Sequence, residues 1–268
     1  MNGRRSWGRI GLTIYAVLGF VYLFVPIAFI IAFSFNDPEG RFNLVWQGFT
    51  LDNWLNPFAE EELTDAMLYS LRIAALSTVA ATVLGSLIAV AISRYEFRGK
   101  SAIDLLLVLP LTTPEIVLGA SLANIFLDIG FSRGTGTIWV AHVMFSVSFV
   151  ALTVKARIRG FDWNLEDAAA DLGAGPWRTF RLVTFPLILP GIIAASLLSF
   201  ALSLDDFIIT FFTAGSQNTF PLQVWGGSRN GTPPQINVLA SLVLVVSVAI
   251  IGLGSLWQRL RLRSGHQI

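Results

Sequence analysis

Six stretches of this chain run on with almost no charge, near residues 10–35, 67–92, 102–127, 137–155, 186–212 and 236–257. A helix of about 20 apolar residues spans the hydrocarbon of a bilayer and satisfies its own backbone there. The pattern therefore predicts an all-α integral membrane protein with six transmembrane helices. Composition agrees, since 54% of the 268 residues are hydrophobic and 13% charged. A water-soluble domain carries roughly 25% charged residues. Disorder, collagen and a disulfide-stapled scaffold are excluded together, the last because there is no cysteine. Thiolate metal sites and cysteine nucleophiles go with it. A formal net charge of +1 gives no ground for nucleic-acid binding.

The first apolar stretch follows Arg4, Arg5 and Arg9, as a signal peptide would. It continues to Phe35, well past the 7–15 residues of a signal core, with no small-residue cleavage site, so it is expected to stay as an anchor. Lysine and arginine set the orientation. With the N-terminus cytoplasmic, the inner side carries Arg4, Arg5, Arg9, Arg94, Arg98, Lys100, Lys155, Arg157, Arg159, Arg178, Arg181, Arg259, Arg261 and Arg263. The outer side carries only Arg41, Arg133 and Arg229, and Arg72 falls within a span. Both termini are thus expected inside. The first outer loop, 36–66, holds Asp37, Glu39, Asp52, Glu60, Glu61, Glu62 and Asp65 against Arg41. It reads either as a solvated loop or as an acidic vestibule that concentrates cations.

The connection 156–185 differs from the other inner loops. Asn164 can N-cap a short helix, with Glu166 and Asp167 in the first turn favourable to its dipole. Ala168, Ala169 and Ala170 favour helix and give it a smooth face. Gly173 suits the left-handed position after the helix, and Pro176 the first turn of the next. Such a two-turn helix either tethers two spans or offers its small-residue face to a partner.

The segment DAAADLGAGPWRTFRLVTFP, 167–186, resembles the cytoplasmic signature loop of binding-protein-dependent ABC transporter permeases. That pattern is Glu-Ala-Ala, three residues, Gly, nine residues, a branched apolar residue, one residue, Leu-Pro. Asp167, Ala168, Ala169, Gly173, Val183, Phe185 and Pro186 stand at the matching offsets, with Asp167 replacing Glu and Phe185 replacing Leu. The resemblance implies a type I importer permease in which this loop forms a coupling helix seated in a groove of a cytoplasmic ATPase. Asp167, Ala168, Ala169 and Gly173 would be its docking elements. No G-x-x-x-x-G-K-[ST] loop occurs in the chain, so ATP and magnesium are expected on the partner ATPase.

Ionisable groups inside a span are costly and are functional candidates by default. Glu115 falls in the third stretch, and Asp205 and Asp206 in the fifth. Read as intact helices, the two stretches carry these acids about 21–22 Å from Ser101 and Pro190 at a rise of 1.5 Å per residue, hence to one depth. Pro114 is expected to loosen the third locally. Three acids with Arg72 as the only base in a span favour a passing cation; alternatively, Asp205 or Asp206 caps a broken helix and Glu115 pairs with Arg72. RYEFRGK (94–100), TPEIV (113–117), SLDDFIITFF (203–212) and PPQINVLASLVL (233–244) resemble the spermidine/putrescine branch of these permeases. The likeness runs from about Thr50 to Trp257; its wider relatives include aminoethylphosphonate and ferric-iron systems. Phe207, Phe211, Phe212 and Trp225 could meet a polyamine by cation–π contact or belong to interfacial belts. His142 reads as a satisfied polar contact, and neither it nor His266 suggests a metal site.

The expected organisation is an anchor and acidic loop (1–66), a permease core (67–258) and a cytoplasmic tail (259–268). The resemblance implies a multi-pass protein of a bacterial inner membrane that works by alternating access. Its partners would be a homologous second permease, two copies of the ATPase and an extracytoplasmic substrate-binding protein. The rivals are an ion-driven secondary transporter using the intramembrane acids and an intramembrane hydrolase, the latter lacking any nucleophile–base pair.

Overall fold

The structure, a computed structural model, describes residues 3–40 and 42–264. Arg41 and His266 lie outside the described residues, as do the side chains of Arg4, Arg5, Arg229, Arg259, Arg261 and Arg263. The described chain is helical: α1 (Gly3–Phe33), α2 (Asp52–Leu55), α3 (Glu61–Arg94), α4 (Lys100–Thr112), α5 (Glu115–Asp128), α6 (Thr135–Ile158), α7 (Asn164–Asp171), α8 (Pro176–Thr179), a π-helical turn (Phe180–Thr184), α9 (Phe185–Leu204), α10 (Ile208–Thr213), α11 (Phe220–Asn230) and α12 (Pro234–Ser264). Among the described residues there is no strand, only the isolated bridges Asn36–Phe49 and Phe42–Thr232.

Two compact units divide the chain, one of residues up to Thr64 and from Val224, the other of Asp65–Gln223. In the first, α1 and α2 each lie against α12. Gly8–Phe33 is apolar on every side and almost wholly unburied, which suits a helix solvated by lipid. The loop after α1 is folded rather than loose. Asn36, fully buried, donates to Asn43 Oδ1 (2.6 Å) and to the Val45 carbonyl (2.8 Å), while its Oδ1 accepts from Gln47 N (2.8 Å). Phe35 stacks on Phe49 and Trp54. Beside this knot, Asp37, Asn53, Glu60, Pro233 and Gln235 line an open cavity of about 550 Å³.

The second unit is built around α6, whose Ile138, Ala141, Val150, Ala151 and Val154 are completely buried. Helices α4, α5, α9 and α10 all pack on it. A helix apolar on all faces belongs in such a central position.

Two of the six stretches are not continuous helices. The third breaks between α4 and α5, whose axes differ by 108°. Pro114 has no N–H for the Pro110 carbonyl, and it forces Thr113 into extended backbone at φ −78°, ψ 132°. The Thr112 and Thr113 hydroxyls turn back to the Leu109 carbonyl at 3.1 and 2.7 Å. The rise of about 21 Å to Glu115 along an intact helix is therefore overturned. The fifth stretch is helical from Pro186 only to Leu204; Asp205–Phe207 interrupt it before α10. By length and apolarity alone, four described segments can cross a membrane: Gly8–Phe33, Glu61–Arg94, Thr135–Ile158 and Pro176–Leu204. The bent α4–α5 pair makes five, and the apolar part of α12, Pro234–Ala249, is shorter, so six is not reached among the described residues.

Candidate coupling helix and substrate pathway

The short helix α7 forms where the sequence places it, with one correction. Asn164 is its first residue and not its cap; Asp162 Oδ1 accepts from the Asn164 backbone N–H (3.1 Å) and from its side chain (2.8 Å). The far end follows local chemistry. Gly173 takes φ +81°, its N–H bonds to the Ala170 carbonyl (2.8 Å), and Ala174 N–H reaches Ala169 (3.0 Å), the Schellman arrangement that ends a helix in a left-handed glycine. Pro176 opens α8. Asp167, Ala168 and Gly173 are exposed and Ala169 is half-buried. Leu165, Leu172 and Trp177 are exposed nearby.

What fastens α7 is Glu166, for which sequence alone suggests only a dipole role. It is buried, forms a 2.8 Å ion pair with Arg94 Nη2 at the end of α3, and accepts a hydrogen bond from Thr184 in the π-helical turn. One carboxylate thus joins three elements distant in sequence, and no local pattern announces it. A second pair, Lys155 to Asp104 at 2.5 Å, ties α6 to α4.

The intramembrane acids stand at the two breaks. Glu115 is the first residue of α5, and Asp205 and Asp206 stand between α9 and α10. Helix α5 packs on α10 at Gly119, where a Cβ would lie 2.9 Å from the Phe212 ring and 3.2 Å from Ile209 Cα. This contact joins the helix that Glu115 opens to the helix that follows Asp205 and Asp206. Carboxylates at these helix starts also face the positive end of the peptide dipoles.

The three acids are not equivalent. Glu115 and Asp205 are exposed, whereas the Asp206 side chain is only 5% exposed. Asp206 Oδ2 accepts from the Thr210 backbone N–H (2.8 Å) and hydroxyl (2.7 Å), capping α10, and lies 3.3 Å from His142 Nε2. His142, buried in α6, is a satisfied polar residue: Nε2 is 2.8 Å from Thr210 Oγ1 and Nδ1 is 2.7 Å from Ser203 Oγ. Ser203 Oγ continues to Ser77 Oγ in α3 at 2.9 Å. Of the alternative sequence reading, the cap on a broken helix is present, but no ion pair joins Glu115 to Arg72 among the described residues. Phe207, just before α10, and Phe211 and Phe212 on it form a tilted and edge-to-face cluster, with Phe211 half exposed, while Trp225 belongs to the other unit.

A chain of long apolar helices with a short exposed helix between two of them and acids at two broken spans has the organisation of a transport permease. Residues 81–262 match the family described as binding-protein-dependent transport system inner membrane component, and the chain belongs to that family. It is 36% identical over 241 residues to the spermidine/putrescine transport system permease protein PotC of Haemophilus influenzae, covering 90% of this chain and 93% of that one. It is likewise 36% identical over 244 residues to the putrescine transport system permease protein PotI of Escherichia coli strain K12, covering 88% and 86%. The fold resembles a chain in the crystal structure of a bacterial ABC transporter that imports the acidic polysaccharide alginate, with TM-score 0.67, 14% identity, and coverage of 95% of this chain and 98% of that one. The protein is therefore a multi-pass membrane permease subunit with an all-α ABC importer fold, and not itself an enzyme.

Proposed function

We propose that this chain is one of two membrane-spanning subunits of an ATP-driven importer of polyamines, with both termini cytoplasmic. An external binding protein delivers the substrate, two copies of a partner ATPase hold ATP and magnesium, and alternating access moves the substrate inward. Asp167, Ala168, Ala169 and Gly173 present α7 to the ATPase. Glu115 and Asp205 line the pathway. The observation that carries the substrate assignment is the exposed acid pair, Glu115 and Asp205, at two adjoining helix breaks, in a chain so similar to polyamine permeases. A flexible chain of ammonium groups and methylenes suits spaced carboxylates, and the Phe211 face adds a cation–π surface.

The test is uptake of labelled spermidine and putrescine by cells holding all subunits, with Glu115→Gln or Asp205→Asn in this chain. We expect each variant to lower uptake about tenfold or more at unchanged abundance, the scale of losing one charged contact of about 1.4 kcal/mol or more. Wild-type rates in both variants would remove the acids from the pathway, and no polyamine uptake in any strain would overturn the substrate.

A further inference from the structure

The break in the fifth span has no proline and no glycine in Asp205–Phe207, so something other than local backbone chemistry must hold it. His142 sits against it from α6 and touches both sides. Nδ1 meets Ser203 in the last turn of α9, and Nε2 meets Thr210 in α10. With Asp206 ionised, the carboxylate can only accept, so the Thr210 hydroxyl directs its proton to Asp206 Oδ2. Thr210 Oγ1 must then accept from His142, which places a proton on Nε2. The imidazole is a rigid strut of fixed length between two helix ends, and Ser77 of α3 braces its Ser203 arm. Ser203, Thr210, His142 and Ser77 are all buried. Asp205 lies between the two clamped ends, exposed and, among the described residues, without a side-chain partner of this kind.

We propose that His142 is a positioning residue: by bridging Ser203 and Thr210 it sets the break at 205–207 and thereby aims the Asp205 carboxylate, while Asp206 is committed to the clamp and does not meet the substrate. This rests on the reading of Asp205 as a substrate contact. The division of labour follows from geometry. Asp206 has a buried side chain whose Oδ2 accepts from Thr210 N and Thr210 Oγ1 and lies 3.3 Å from His142 Nε2. Asp205, its neighbour, is the one turned outward.

The chain has no cysteine, so a thiol introduced at position 205 is the only one it carries. In the assembled transporter, with partner cysteines removed, the labelling rate of Asp205→Cys by a cationic methanethiosulfonate reagent reports where position 205 points. His142→Phe fills the ring volume but cuts both arms; Ser203→Ala and Thr210→Val cut one arm each and serve if the first variant fails to assemble. We expect these changes to shift the labelling rate at position 205 about tenfold, since misplacement of about 1 Å has effects of that order or larger. A control thiol from Glu96→Cys, at an exposed position, should keep its rate. In transport, His142→Phe should raise the KM for spermidine in the wild-type background and have no further effect on KM with Asp205→Asn, the signature of coupled sites. An unchanged rate at position 205 in Thr210→Val and Ser203→Ala overturns the positioning role, as does an equal KM effect of His142→Phe in both backgrounds. Wild-type uptake by Asp205→Asn alone would instead remove Asp205 as a substrate contact, and the labelling arm would still judge His142.

Discussion

At the scale of single residues, the buried acids show how burial decides what a carboxylate is for. Glu166 is buried and its partner Arg94 is 41% exposed at the side chain, so the two ends of the pair are not interchangeable. Arg94→Ala strands a buried carboxylate with Thr184 as its remaining partner, at a cost of about 1–3 kcal/mol. Adding Glu166→Gln removes the stranded charge while keeping an acceptor for Thr184. We expect the double variant to recover a measurable part of the thermal stability lost by Arg94→Ala in the detergent-purified permease. A double variant no more stable than Arg94→Ala would reject the account. None of this is legible from sequence, because Glu166 looks complete as a first-turn acid and its partners are far along the chain. His142 does prove satisfied, as its apolar setting suggests, yet the 61 residues separating it from Ser203 hide what it holds together.

Among the elements, α7 is the most legible because its ends are written locally. Alanines, a positive-φ glycine and a first-turn proline specify it without help from the rest of the fold. The misplaced cap is an error of the same local kind, since Asp162 and Asn164 are both good capping residues and only the geometry chooses. The glycine offers a clean test of docking. Asn and Asp both tolerate the left-handed conformation, so Gly173→Asn and Gly173→Asp carry a similar backbone penalty and differ in charge. We expect Gly173→Asp to lower ATPase co-purification and transport severalfold more than Gly173→Asn. Equal behaviour would place any loss in the turn rather than at a partner's surface. The two breaks are less legible. Pro114 is a visible signal for the first, though it implies a loosened helix and not a bend of 108°. The second depends on tertiary partners in α6, which no window of sequence contains. The acids stand at these two breaks, on helices packed at Gly119, and not at the ends of equal climbs along intact helices.

For the whole molecule, apolar length sets the class and the lysine and arginine distribution sets the expected orientation. The span count resists because length and apolarity describe a segment, whereas bends and short apolar helices are decided by neighbours. Orientation can be read directly. Thiols at exposed Asn56 and Glu96 lie on either side of α3, which is long enough to span. We expect an impermeant maleimide to label Asn56→Cys only from outside intact cells and Glu96→Cys only in inverted vesicles. The reverse pattern would invert the topology.

The paired breaks also bear on hydration. Interrupting a helix within a span frees carbonyls and amides that lipid cannot satisfy, and such backbone is stable only inside protein or beside water. Two interruptions on helices packed together therefore need protein or water about them, not lipid. On the proposed pathway, a cation arriving there would not have to shed its hydration shell in one step. It would trade water molecules for carboxylate and carbonyl oxygens one at a time, so the cost of dehydration would be spread along the passage instead of standing as a single barrier.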